Sequence, residues 1–433
     1  MREFIFGLLI TFGFVALAQV EGRILTLDEC IEMALSRNLT IKQNQNTLIG
    51  AQSNKRQAYY NFLPDLNANL NHSYSDGSDI VAGDVIAFTS WNGRPNISSN
   101  VIIFNAFSNH HLLNRRQHEF ESSRYLLEDS KIAIKATVIR NYLNVLVDTE
   151  NKRISDQRLD FLEEQLDREK KRVTVGVGNL ETVYNFQSQV ANEKLNNVNL
   201  NNQYRADLLN LLQSIQIETY QGITLEPLQI DDVEFLVEYD EFNEVLDEIL
   251  NYSFRLKSAE ESEVAAESQL KQVKSGRYPT LSLFGQHARN FTSQNDIDYT
   301  NQIKDTPTNF AQLSFQIPIF NRYRIQNNID NTRVVMMNAQ LQSDQALLNV
   351  TNAAQRDYLD LLAAQASYET AHENYEALNQ TFEFIKKRFE TGNTDFYSYL
   401  ESLNNKNRAE GQLINAKYTI VLRKRILDLY RGK

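Results

Sequence analysis

The chain has 433 residues, and 55 acidic side chains against 44 basic ones give it a formal net charge of -11. That balance disfavours nucleic acid or an anionic membrane surface as partner, and no basic cluster is strong enough to offset it. The single cysteine, Cys30, excludes an internal disulfide and reads as a small apolar residue on a buried helix face.

Residues 1–18 run from Arg2 through an apolar stretch to Ala16-Leu-Ala18, a small-x-small site followed by Gln19, and predict a secretory signal peptide. Nothing later reaches the roughly 18 uninterrupted apolar residues that a spanning helix needs. A helix opens at Thr26-Leu-Asp-Glu29, the spacing of a capping box, and should run to about residue 60. Pro64 pushes the residue before it out of helical geometry, so this helix has to stop by Leu63. Beyond it Leu66, Ala68, Leu70, His72 and Tyr74 alternate with Asn67, Asn69, Asn71, Ser73 and Ser75. This period of two suits a strand with lipid or core on one side and water on the other. Ile97, Ser99, Val101 and Ile103 alternate with Ser98 and Asn100 in a returning strand. The first pair of strands is thus expected at about 65–75 and 96–104. From about 107 to 173 there is neither proline nor glycine, predicting a helix much longer than the ~11-residue average and roughly 100 Å in extent. A second helix follows at about 180–215.

The whole pattern then recurs. Met33–Lys42 lies over Glu248–Lys257 and Pro64 over Pro279, at an offset of 215, while Ile103-Phe104-Asn105 lies over Ile319-Phe320-Asn321 and Arg172–Gly176 over Arg388–Gly392, at 216. A constant offset across helix, strand and turn signals means that a whole supersecondary unit was duplicated. The repeats are expected at 19–215 and 241–433, joined by a linker at 216–240. In the second, Leu281, Leu283 and Gly285 and then Ala311, Leu313, Phe315, Ile317 and Ile319 mark strands at about 280–290 and 310–319. Helices should follow at about 322–390 and 395–430. Tyr368, Ala371, Tyr375, Leu378, Phe382, Ile385 and Phe389 alternate steps of three and four, the seam of a coiled coil.

The fold class is therefore mostly α with a membrane β-barrel contribution of four strands per chain. Four strands cannot close a barrel, which needs at least 8, and open edges are not tolerated in lipid. Other copies must complete it: two would supply eight strands and three would supply twelve, the wider barrel leaving room for solutes. The segments at about 76–95 and 290–309, rich in Gly, Asp, Asn, Ser and Thr, read as exposed connections facing the cell exterior. Tyr74, Trp91, Phe104, Phe107, Phe310, Phe320 and Tyr323 fit an interfacial girdle in contact with outer-membrane lipid. His110, His111 and His118 stand at a strand-to-helix junction without a carboxylate at ligand spacing, so they read as interfacial or surface side chains and no metal or cofactor is expected. No phosphate-cradling loop, nucleophile elbow or cysteine–histidine pair points to an enzyme.

This ordering, with glycine turns between long helices, resembles the TolC family of outer-membrane efflux proteins over nearly the whole mature chain. The most specific parts are the turn Arg388-Phe389-Glu-Thr-Gly392 and the helix-to-strand prolines Pro64 and Pro279; the first turn, Arg172-Val173-Thr-Val-Gly176, lacks the aromatic. The resemblance implies a homotrimer with a 12-stranded outer-membrane barrel continuing into a periplasmic helical tunnel. The turns would meet a periplasmic adaptor protein and, with it, an inner-membrane pump of the RND or ABC type. It implies, further, an acidic constriction six and nine residues after the second glycine, here Ser398 and Glu401. Asp395 offers a second acidic ring, Thr394 replaces a basic residue that some members carry, and Glu181, Thr182 and Asn185 stand at or beside the first-repeat equivalents. The plain alternative for Glu401 is an exposed carboxylate paired with Lys406. For the whole chain the alternative is a periplasmic coiled-coil scaffold or adaptor without a pore, which would have no reason to expose alternating apolar rows.

Overall fold

The computed structural model describes residues 24–217, 222–228, 241–294 and 296–433; the expected signal peptide and residues 218–221 and 229–240 of the expected linker lie outside them. In chain order the elements are β1 (Ile24–Leu25), α1 (Leu27–Arg37), α2 (Leu39–Tyr60), β2 (Asn67–Asn69), β3 (His72–Val81), β4 (Asp84–Gly93), β5 (Asn96–Phe104), α3 (Ser108–Thr174), α4 (Leu180–Ser214), β6 (Thr224–Leu225), α5 (Phe242–Tyr252), α6 (Phe254–Ser275), β7 (Thr280–Arg289), β8 (Phe291–Thr292), α7 (Tyr299–Asp305), β9 (Pro307–Gln316), α8 (Arg324–Glu390) and α9 (Phe396–Arg431). The described residues fall into two compact units, one drawn from 24–39, 131–245 and 355–433, the other from 40–130 and 246–354.

In the first unit α1 starts as its sequence dictates. Thr26 Oγ1 accepts from the Glu29 amide at 3.1 Å while Glu29 Oε2 accepts from the Thr26 amide at 3.2 Å, so two free amides at the helix start are satisfied. Cys30 and Ala34 are fully buried on its inner face. One helix to about residue 60 was expected, but there are two: Asn38 takes a non-helical ψ of 129° and ends α1 before α2 starts. β1 pairs in parallel with β6, a strand in the expected linker. The Tyr142 hydroxyl ties the two together, donating its one hydrogen to the Glu226 carbonyl at 2.7 Å with the Leu25 carbonyl 3.1 Å away. Burial raises this phenol's pKa far above its usual range.

The second unit carries a four-stranded sheet in the order β2-β5-β7-β9, with every neighbouring pair antiparallel. Register decides its chemistry. Ala68 pairs with Ile97, Val101 with Leu283, Leu283 with Leu313 and Leu281 with Phe315, forming one apolar face. Asn67 pairs with Ser98, Ser98 with Gln286 and Ser282 with Ser314, forming a face that is amide and hydroxyl apart from Ile102, Phe284, Ala288 and Phe310. Leu313 and Phe315 are 64% and 62% exposed, so among the described residues nothing covers the apolar face there. Asp65 anchors the start of the sheet after Pro64: its amide donates to the Asn100 carbonyl and its carboxylate accepts from the Asn100 amide.

Three expectations need correction here. The strand expected at 65–75 breaks after β2, and β3 belongs to a second sheet, β3-β4-β8. The segment at 76–95 is no loop but the β3–β4 hairpin, closed at Ala82 and Gly83, whose φ values of 54° and 98° both lie in the left-handed region that a tight hairpin turn requires. The strand expected at 310–319 runs instead over 307–316, because Pro318 has no amide hydrogen to donate. The 290–309 connection also contains the short helix α7, capped by Asp298.

The two strand-to-helix junctions are built alike. Ala106 and Phe107 before α3, and Arg322 and Tyr323 before α8, all have positive φ between 51° and 64°. Non-glycine residues in this region cost about 1–2 kcal/mol each. The same bonds hold both: the Ser108 and Arg324 amides donate to the Asn105 and Asn321 carbonyls, and the His111 and Asn327 amides to the Phe107 and Tyr323 carbonyls. The duplication thus extends to strained backbone.

Candidate functional site

The ends of α3 and α8, with the starts of α4 and α9, form the helix-turn end of the first unit. Arg172 and Gly176 turn out to be positions of a helix C-cap, as do Arg388 and Gly392. Gly176 has φ 81°, its amide donates to the Val173 carbonyl, and the Val177 amide reaches back to the Arg172 carbonyl at 3.0 Å. Gly392 has φ 75°, with Gly392 donating to Phe389 and Asn393 to Arg388 at 2.8 Å. Both are Schellman motifs, in which glycine takes the left-handed position and otherwise free carbonyls are satisfied. The arginines are held close by: Arg172 donates to Glu169 Oε1 at 3.1 Å, and Arg388 to the Asn393 carbonyl at 3.1 Å.

The turns then diverge. The Gly178 amide also donates to the Arg172 carbonyl, which draws Gly178 over the helix end. A Cβ there would lie 2.6 Å from the Val173 nitrogen and 2.8 Å from the Arg172 carbonyl carbon. Gly178→Ala is therefore expected to open the turn and destabilise the chain by about 1–3 kcal/mol, read as a lower urea midpoint, whereas Thr394, its counterpart in the second repeat, carries a side chain already.

Asn179 caps α4 by accepting from the Glu181 amide at 2.9 Å, and Asp395 caps α9 by accepting from the Ser398 amide at 3.0 Å and hydroxyl at 2.7 Å. Those Ser398 bonds, hydroxyl first, lower the pKa of Asp395. Asp395 and Ser398 are thus joined in one cap. Glu401 is exposed, and the pairing with Lys406 expected as its alternative does not form: Lys406 pairs with Glu410 at 3.2 Å. Glu181 accepts from the Tyr397 hydroxyl at 3.3 Å, linking the two turns, and Thr182 and Asn185 are half-buried on α4. Pro64 and Pro279 each stand four residues beyond the last helical residue, Tyr60 and Ser275, and just before a strand.

Behind the turns lies a core that the expected seam marks only in part. Leu162, Leu166, Val183, Phe186, Phe382, Phe396, Tyr399 and Leu403 pack together, with Phe389 and Val173 partly buried against them. Phe186 meets Phe396 edge-on at 4.5 Å, and Phe389 stacks on Tyr399 at 4.6 Å. Phe382 and Phe389 come from the expected seam; Tyr399, in step with Phe396 and Leu403, was the available clue to α9.

Among the three histidines of the strand-to-helix junction, His118 Nδ1 lies 2.6 Å from Glu261 Oε2, a carboxylate brought in from the second repeat. His110 packs edge-on against Phe62 and Phe107. Among the described residues no group of three or more His, Cys, Asp or Glu side chains is placed to hold a metal.

A duplicated chain with an open amphipathic sheet in one unit and glycine-capped turns between long helices in the other has the build of an outer-membrane channel subunit. The outer membrane efflux protein family matches residues 30–215 and 245–432, and the chain belongs to that family. Its fold is similar to that of the outer membrane protein VceC from Vibrio cholerae, with a TM-score of 0.81 at 14% identity over 94% of this chain and 96% of that one. The Campylobacter jejuni CmeC outer membrane channel matches with 0.73 at 17% identity, over 94% and 85%, and the open state of the Neisseria gonorrhoeae MtrE outer membrane channel with 0.70 at 17%, over 94% and 88%. No curated protein sequence matches the chain. The protein is an outer-membrane protein.

Proposed function

We propose that three copies assemble into a passive exit duct, in which twelve strands close a barrel and the helices continue it through the periplasm to a periplasmic adaptor and an inner-membrane pump of the RND or ABC type. The carrying observation is the four-stranded sheet: it has an exposed apolar face, a polar face behind it, and unpaired outer edges at β2 and β9. Lipid cannot satisfy those edges, so β9 of one copy has to meet β2 of the next. Amides and hydroxyls then face the lumen. Exposed Val175, Val177, Leu180, Tyr184 and Tyr397 around the glycine turns supply an apolar tip for the adaptor. Energy comes from the pump, and the duct itself does no chemistry.

Extraction of outer membranes in mild detergent without heating should give a native mass of three chains. A monomer recovered in the soluble periplasmic fraction would overturn the duct. In planar bilayers Glu401→Gln should lower the preference for cations, by about fivefold if the ring is worth the ~1 kcal/mol of a water-facing charge at close range. Asp395→Asn removes the second ring's charge while keeping the helix cap, since asparagine caps equally well, so any loss of cation preference there should come without a loss of stability.

A further inference from the structure

In the first unit α3, α4 and α9 border a pocket of about 280 Å³ that includes Asn144, Asp148, Asp207, Asn415, Tyr418 and Thr419 in its lining. Asp148 is only 8% exposed, and no donor reaches its buried Oδ2. The group beside it is the Asp207 carboxyl, which accepts from Gln203 at 2.8 Å and Asn210 at 3.2 Å and cannot donate unless one of the two acids holds a proton. The nearby cation on α3, Lys152, is committed to Asp156 at 3.0 Å. A buried carboxylate oxygen without a donor, beside a second carboxylate at the edge of a polar pocket, is satisfied by a proton shared between the two acids at acid pH, and once that proton is lost it needs positive charge from outside the chain.

We propose that Asp148 and Asp207 hold a hydrated divalent cation, calcium or magnesium, which bridges α3 and α4 and faces the amide and hydroxyl groups of α9. All the polar lining atoms that can bind a cation are oxygens: two carboxylates, the Asn144 and Asn415 amide carbonyls, the Tyr418 phenol and the Thr419 hydroxyl, whose hydrogen goes to the Asn415 carbonyl at 2.7 Å. Such a set selects hard cations over zinc or copper. At about 30 Å³ per water the pocket has room for an ion that keeps much of its hydration shell.

The titratable groups lining the pocket are Asp148 of α3, Asp207 of α4 and Tyr418 of α9, the last with its pKa raised by burial and by Glu150. Burial first, then the contact with Asp207, pushes Asp148 from 3.8 up to about 7. An acid raised on folding keeps a proton that the unfolded chain has lost, so without a cation this pair contributes stability at acid pH that falls as pH rises from about 4 through about 7. A divalent cation replaces that proton and restores the stability at pH 7.5.

The test is calorimetric titration of calcium chloride into the EDTA-treated full-length protein in detergent, at pH 7.5 and pH 5.5. One site per chain is expected at pH 7.5, at least tenfold weaker at pH 5.5 and at least tenfold weaker in Asp148→Asn, with helical circular dichroism unchanged. Asp207→Asn, at the less buried partner, should give the same loss and serves if Asp148→Asn fails to fold. No saturable binding at pH 7.5, or equal binding by wild type and either variant, overturns the site and leaves a carboxyl pair that only shares a proton.

Discussion

Tyr399→Ala should destabilise the helix-turn end by about 3–5 kcal/mol, the usual cost of deleting a large buried aromatic ring. Tyr399 is 1% exposed and lies where three helices converge: it stacks on Phe389 of α8 at 4.6 Å with an interplanar angle of 18°, and sits 5.9 Å from Phe382 of α8 and 6.4 Å from Phe161 of α3. Phe186, Phe396 and Leu403 are already packed in the same cluster, so closing the space would disturb contacts they make there. Burial also raises the phenol's pKa, so the ring stays neutral at any pH the periplasm reaches. The expected readouts are a lower urea midpoint and, in bilayers, longer open dwell times, since Tyr399 holds α9 and its Glu401 against α8. Tyr399→Phe keeps the ring and should stay within about 1 kcal/mol of wild type. Equal losses from the two substitutions would mean that the hydroxyl, not the packing, holds the joint.

The duplication was legible because it is written in residues with few alternatives: prolines at helix-to-strand steps and glycines at left-handed caps. Arg388-Phe389-Glu-Thr-Gly392 reads as a motif, and the structure supplies its physical content, an arginine carbonyl and an aromatic carbonyl receiving the two Schellman bonds. The aromatic has a second use in the stack on Tyr399, which Val173 cannot provide in the first turn. Strand faces were legible for the same reason, since a period of two survives in Leu281, Leu283, Leu313 and Phe315. What stayed hidden was context. The β3–β4 hairpin closes on Ala82-Gly83 rather than an Asn-Gly pair, and its Ser, Asp and Gly content reads as loop. Asp395 and Ser398 read as charge and spacing at a constriction, yet the structure uses them together as a helix cap. Gly178 carries no signal in the sequence, because its role depends on the fold bringing the Val173 backbone nitrogen to 2.6 Å from where its Cβ would stand.

Arg158→Leu should cost about 3–5 kcal/mol, because it strands the Glu193 carboxylate in a nearly dry joint. Glu193 of α4 has a side chain only 5% exposed, and Arg158 Nε of α3 lies 3.2 Å from its Oε2. Nε is not aligned for a hydrogen bond, so that attraction is coulombic. The directional bonds come from Ser155 at 2.6 Å and Asn196 at 3.0 Å, both to Oε1. The guanidinium meanwhile donates to Asn404 Oδ1 of α9 at 2.6 Å, so one arginine ties three helices together. Two neutral donors on one oxygen do not replace a cation on the other. Glu193→Leu should cost less, about 1–2 kcal/mol, since Arg158 is 22% exposed and retains both water and Asn404. The double variant Arg158→Leu, Glu193→Leu should recover most of the loss, because an apolar pair of similar volume replaces a charge pair that must be desolvated. A double-mutant cycle in urea should therefore give a coupling of at least ~2 kcal/mol. A coupling near zero would mean that water already screens the joint. The doubly substituted protein, stable but without the Asn404 tether, should also hold α9 less firmly against α3 and gate more readily than wild type, which separates the network's role in positioning α9 from its contribution to stability.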